Sequence, residues 1–321
     1  MLNFLKNWTL PIAMLAGALG YFVFANFTFL EPTKPFVNTF IAYITPFLIF
    51  AQLLLTFCKV DWRELMPSPW HGWLLLFQVV SASALAALLI FIPMDGSYRE
   101  VFEAAMVCLI CPTATAAAVI TGKLGGSASS LTTYTLLSNI LAAIAVPLIF
   151  PLVEPHADIT FFTAFLKILG KVFPLLLFPF FLALFFRYVL PKVHHFLLGF
   201  HDLAFYLWGM ALAIVTGQTV KSLMTSDVSG SVQILIALAG FITCALQFYL
   251  GKRIGTIYKD RISAGQALGQ KNTVLAIWMA YTYLDPVSSV GPGSYVLWQN
   301  IFNSWQLWKK RKKESDLYIK D

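Results

Sequence analysis

Residues 265–278 read GQALGQKNTVLAIW. An apolar run carries Gln270, Lys271, Asn272 and Thr273 side by side in its interior. Four consecutive positions cover every side of a helix, so this run cannot face lipid as a plain helix. The backbone is expected to break here, with Gly269 permitting an unusual φ. Lys271 lies beyond Arg261 by roughly 15 Å of helix, too deep to snorkel out to the surface. An ammonium at such a depth costs at least about 2.5–3.5 kcal/mol, which makes an idle lysine a poor reading and a functional one the better.

Working outward, the 321-residue chain is 59% apolar and 12% charged, with a mean hydropathy of +0.75. Soluble domains carry about 25% charged residues, so the composition defines an all-α polytopic membrane protein. The formal charge of +7 is then a topology signal and points to no nucleic-acid partner. Cys58, Cys108, Cys111 and Cys244 sit in or beside apolar runs, as free buried thiols do. A bilayer needs roughly 20 apolar residues per helix. That rule predicts ten spans, near 8–29, 35–57, 69–93, 100–122, 128–153, 161–190, 202–224, 230–250, 262–284 and 287–308. The sixth carries Lys167 and Lys171, read as snorkelling to the headgroups.

With both termini inside, sixteen of the 22 lysines and arginines fall on the cytoplasmic side, including the tail Lys309–Lys313 and Lys320. Lys34, Arg99 and Lys221 fall outside, among acids that include Asp95, Glu100, Glu154, Asp158, Asp227 and Asp285. No organelle-type transit segment precedes the first span, so the expected location is a bacterial inner membrane. The basic stretch 309–321 reads as a topology anchor beside the bilayer.

A second interruption stands in the fourth span, where CPTAT covers residues 111–115. Pro112 removes a backbone donor, and Thr113 and Thr115 bring hydroxyls beside it. Cys111 and Gly269 are 158 residues apart, close to half the chain. The fourth and ninth spans are equivalent members of two five-span halves, about 1–155 and 156–310. Five is odd, so the second half enters the membrane inverted. Paired interruptions in an inverted repeat point to a secondary transporter whose site lies at the midplane, where half-helix N-termini favour an anion. Thr135, Ser138 and Asn139 of the fifth span, Gln78 of the third and Asn300 of the tenth are candidate site groups; helix–helix hydrogen bonding is the competing reading.

CPTATAAAVITGKLGG followed by a span with AVPLIF, and GQALGQKNTVLAIW followed by LWQN, resemble the bile acid:sodium symporter family over nearly the whole chain. The resemblance implies a core domain with two crossing broken helices, the fourth and ninth. It implies a panel of the first, second, sixth and seventh spans, and uptake of an organic anion such as a bile acid or a small keto or hydroxy acid. The family pattern in the ninth span is Glu-x-Gly-x-Gln-Asn, whose Glu and Gln help bind sodium. Here Ala267 stands for that Glu and Lys271 for that Gln. Ala117 and Ala118 stand for a Ser-Asn pair, and Leu131 for a serine, while Thr135 is retained. Two sodium ions with one Glu leave a local charge of +1; one Lys271 ammonium leaves the same. Lys271 is therefore expected to replace the family's cations and no metal is expected at those positions. It either stays charged, or gives up and regains a proton in each cycle. Sodium binding elsewhere, as in an ordinary sodium-coupled symporter, is the alternative, and no other cofactor is expected.

Other classes fare worse. Neither HExxH nor GxSxG occurs, and His71, His156, His194, His195 and His201 fall in loops or at span ends, so an enzyme is not expected. A channel would want pore segments repeated around an axis. A non-transporting receptor on the same fold stays open.

Overall fold

The computed structural model describes residues 2–60, 63, 65–94, 96–155, 160–200 and 202–318. Asp95, His156, Asp158, His201 and Lys320, named above as loop or tail residues, lie outside the described residues. Among the described residues every regular element is helical. The helices are α1 (Leu2–Asn26), α2 (Lys34–Cys58), α3 (Pro69–Phe91), α4 (Gly96–Ile110), α5 (Ala117–Leu124), α6 (Ala128–Val153) and α7 (Phe161–Tyr188). They continue as α8 (Pro191–Leu198), α9 (Leu203–Thr225), α10 (Gly230–Ile257), α11 (Arg261–Gly269), α12 (Thr273–Tyr283) and α13 (Val290–Tyr318).

Local chemistry sets many of these boundaries. Proline occupies the first turn of α2, α3 and α8, where its missing N–H is not needed. The Ser127 and Thr160 hydroxyls accept from the Ser130 and Thr163 N–H groups and cap α6 and α7. His71 Nδ1 accepts from the Ser68 N–H at 2.9 Å, which secures the start of α3. Gly125, at φ +90°, closes α5 in the left-handed conformation.

Six helical segments are long and apolar enough to cross a membrane: residues 29–58, α3, α6, α7, α9 and α10. The other four apolar stretches of the sequence fall on α1, on the pairs α4/α5 and α11/α12, and on α13. The pairs are interrupted, so neither half reaches the roughly 20 residues a bilayer needs. The four cysteines are buried and free.

Two groups of helices meet in the bundle, and α7 packs across them, on α6 as well as on α2. α2 packs on both α7 and α9, and α9 on α1. α10 packs on α4, α11 and α13, and α3 on α4 and α6. A continuous apolar core joins the two groups through Leu48, Leu53 and Val172 on one side and Val107, Val146 and Leu275 on the other. At one end of the bundle, Arg99 of α4 ties its own helix to α3 and α6. Its Nε meets Glu103 Oε1 at 3.2 Å, one guanidinium nitrogen donates to the Leu89 carbonyl at 3.0 Å, and the other reaches the Val153 carbonyl and Glu154. Glu103, with 1% of its side chain exposed, accepts in turn from Ser288 Oγ at 3.0 Å.

Candidate functional site

The two interruptions meet. Thr113 and Lys271 form an isolated antiparallel bridge: the Ala114 N–H donates to the Gln270 carbonyl at 3.0 Å, and the Asn272 N–H to the Pro112 carbonyl at 2.9 Å. Each break thus supplies the hydrogen bonds that the other's lost helix turn cannot, which a lipid-surrounded backbone requires. Thr113 Oγ1 adds a 2.6 Å bond to the Ala267 carbonyl and its N–H donates to Ser138 Oγ at 3.1 Å. Asn272 Oδ1 accepts from the Leu275 N–H and caps α12. Residues 270–273 are each at most 5% exposed.

Lys271 reaches into the C-terminal end of α4, where Pro112 leaves carbonyls without helical donors. Three side chains, from α10, from the break between α11 and α12, and from α3, answer them. Gln247 Nε2 donates to the Cys108 carbonyl at 3.2 Å, Lys271 Nζ to Leu109 at 3.3 Å, and Gln78 Nε2 to Ile110 at 2.7 Å and Cys111 at 3.2 Å. The C-terminal end of a helix carries partial negative charge, so the ammonium stands where a cation is favoured. The same lysine's N–H donates to Gln299 Oε1 at 3.0 Å.

Several sequence expectations change here. The break-facing residue of α13 is Gln299; Asn300 turns its amide back to the Val296 carbonyl of its own helix. Gly269 is the last residue of α11 and has no positive φ. Its role is steric, because a Cβ there would lie 2.4 Å from the Phe248 ring. Gly269→Ala is accordingly expected to lower stability by roughly 1–3 kcal/mol, as overpacking does. Pairing it with Phe248→Leu should recover most of the loss in a thermal-unfolding comparison.

Thr135 Oγ1 bonds the Leu131 carbonyl within its own helix, and Ser138 Oγ the Thr135 carbonyl. Thr115 Oγ1 accepts from Gln52 of α2 at 3.4 Å. Gln270 bonds Gln266 one turn back. Asn139 is fully buried and its amide has no hydrogen-bond partner among the described residues.

Gln247 and Tyr295 were not anticipated. Gln247 Nε2 donates to Tyr295 Oη at 3.1 Å, and Tyr295 Oη donates to the Gly269 carbonyl at 2.8 Å, closing the broken end of α11. In the first half, Tyr134 Oη donates to Gln78 Oε1 at 3.2 Å, and Gln78 closes the broken end of α4. Gln78 is the single glutamine of α3, and Gln247 lies inside the apolar run of α10, which also carries Gln233 near its start; these mid-helix glutamines are the available signal.

Ala117, Leu131 and Ala267, with Ala118 against them, belong to one apolar cluster with Trp70, Leu74 and Leu268. These side chains offer hydrocarbon and no oxygen, so they do not fit a sodium ion. No group of three His, Cys, Asp or Glu suited to a metal occurs among the described residues.

No family model matches the chain. It is similar to the "uncharacterized sodium-dependent transporter YocS" of Bacillus subtilis (strain 168). The two are 26% identical over 280 residues, which covers 85% of each chain.

Proposed function

We propose that this protein is a membrane carrier of an organic anion that works by alternating access. In it the Lys271 ammonium holds the place that bound cations hold in sodium-coupled relatives. The observation that carries the reading is the buried ammonium at the crossing of two helix breaks, with an apolar cluster where cation-binding oxygens would stand. The same reading takes the chain as two inverted five-span repeats. The interrupted spans are the fourth and the ninth, they pair antiparallel, and each is closed by a glutamine–tyrosine pair drawn from matching spans of its own half. The termini and the basic loops then face the cytoplasm.

In this scheme Lys271 supplies the positive field for the anion. Asn139, whose amide has no partner among the described residues, and Thr115, at the α2 contact, supply hydrogen bonds to it. A cavity of about 400 Å³, lined by Lys221, Tyr281 and Asp285 among others, opens between the ends of α9 and α12; the scheme takes it as an entrance. The likeness to YocS favours a second reading, in which sodium is bound at another place and drives uptake.

Reconstitution into proteoliposomes tests carrier function. Flux of a bound organic anion is expected to saturate and to accelerate with unlabelled substrate on the far side. Flux linear in concentration would indicate a channel, and binding with no flux a receptor; either overturns the proposal.

A further inference from the structure

Arg261 at the start of α11 and Lys309 on α13 each lie within electrostatic range of the Lys252 ammonium near the end of α10. The stem of Lys252 is laid across Gly265, where an added Cβ would meet its Cγ at 2.5 Å. That position is open to the lysine because residue 265 has no side chain. The first turn of α11, whose N-cap residue Asp260 makes no side-chain cap, leads into Gly265. Asp260, the acid adjoining Arg261, lies within electrostatic range of His71. Three like charges held together repel one another, an arrangement that a simple topology signal does not require.

The neighbouring surface is apolar and aromatic. α10 and α13 pack on each other. On α10, exposed Ile242, Leu246 and Tyr249 lead at helical spacing to Lys252. On α13, exposed Leu297, Ile301, Trp305 and Trp308 lead to Lys309 and Lys312, whose ammonium groups sit 5.3 Å and 5.6 Å from the Trp305 and Trp308 ring centroids. Indoles at this position belong at the headgroup level of a bilayer.

We propose that this end of α10, α11 and α13 is a binding site for an anionic phospholipid. Lys252, Arg261 and Lys309 receive the phosphate headgroup, and the exposed stripes of α10 and α13 receive the acyl chains. The inference stands apart from the carrier reading, since it uses none of the residues at the helix breaks. Charge complementarity selects a net-negative headgroup, and the apolar stripes select a lipid over a soluble phosphate.

Native mass spectrometry of the full-length protein, released from detergent with added phosphatidylglycerol, phosphatidylcholine or inorganic phosphate, reads the site directly. Phosphatidylglycerol is expected to remain bound, with neither of the others retained. The combined variant Lys252→Gln, Arg261→Gln, Lys309→Gln is expected to lose retention by about tenfold or more. Lys167→Gln with Lys171→Gln removes exposed charge elsewhere, on α7, and should retain the lipid as wild type does. If the triple variant unfolds, Arg261→Gln with Lys309→Gln, both exposed positions, carries the same test with a smaller loss. Equal retention of both lipids, displacement by inorganic phosphate, or undiminished retention in the folded variants would overturn the proposal.

Discussion

Lys271→Gln is expected to weaken organic-anion binding by about tenfold or more, in sodium chloride and in choline chloride alike, because a hydrogen bond to a charged group is worth roughly 1.5–3 kcal/mol. The substitution removes the ammonium placed at the end of α4 and restores the residue type that the resembled family carries at that position. It does not restore a cation site, since Ala267, Ala117 and Leu131 remain apolar. The backbone N–H of residue 271 still donates to Gln299, and the antiparallel bridge to Thr113 uses backbone atoms alone. The variant should therefore fold and cross-pair as before. Isothermal titration of purified wild type and variant with the same anion measures the difference. Wild-type affinity in the variant would remove Lys271 from the site.

Arg99→Ala should have the largest effect on stability. Glu103 is almost wholly buried, and Arg99 is the cation that compensates it. Breaking a buried pair from one side strands a charge, at a cost of about 3 kcal/mol, the low end of the usual range because Arg99 itself is 29% exposed. The same change frees the Leu89 and Val153 carbonyls at the ends of α3 and α6. Adding Glu103→Gln should recover much of the loss, because a neutral amide still accepts from Ser288 without leaving a buried charge. Unfolding temperatures of the wild type, the single variant and the double variant decide this. A double variant no more stable than Arg99→Ala would assign the effect to the carbonyls instead.

The sequence disclosed both interruptions because each breaks a strong rule: Pro112 removes a donor, and residues 270–273 put polar groups on every side of a helix. The Arg99–Glu103 pair is an i, i+4 contact, the kind that local spacing makes legible. What the sequence hid was long-range. Nothing local says that Thr113 pairs with Lys271, or that three α4 carbonyls are shared among Gln247, Lys271 and Gln78. Gln299, not Asn300, bonds the break because neighbouring residues differ by roughly 100° around the helix axis. Gly269 misled for another reason. A glycine suggests a special φ, but here the neighbouring Phe248 ring excludes any Cβ. The apolar cluster around Leu131 and Ala267 is legible only in space, since its members come from α3, α5, α6 and α11.

The most direct test of the central claim is a thermal-shift measurement of an organic-anion panel on wild-type protein, in sodium chloride and in choline chloride at matched ionic strength. If the Lys271 ammonium replaces bound cations, a ligand that stabilises the protein does so equally in both salts. A stabilisation that requires sodium would contradict the account and mean that a cation site exists outside the Ala117–Leu131–Ala267 cluster.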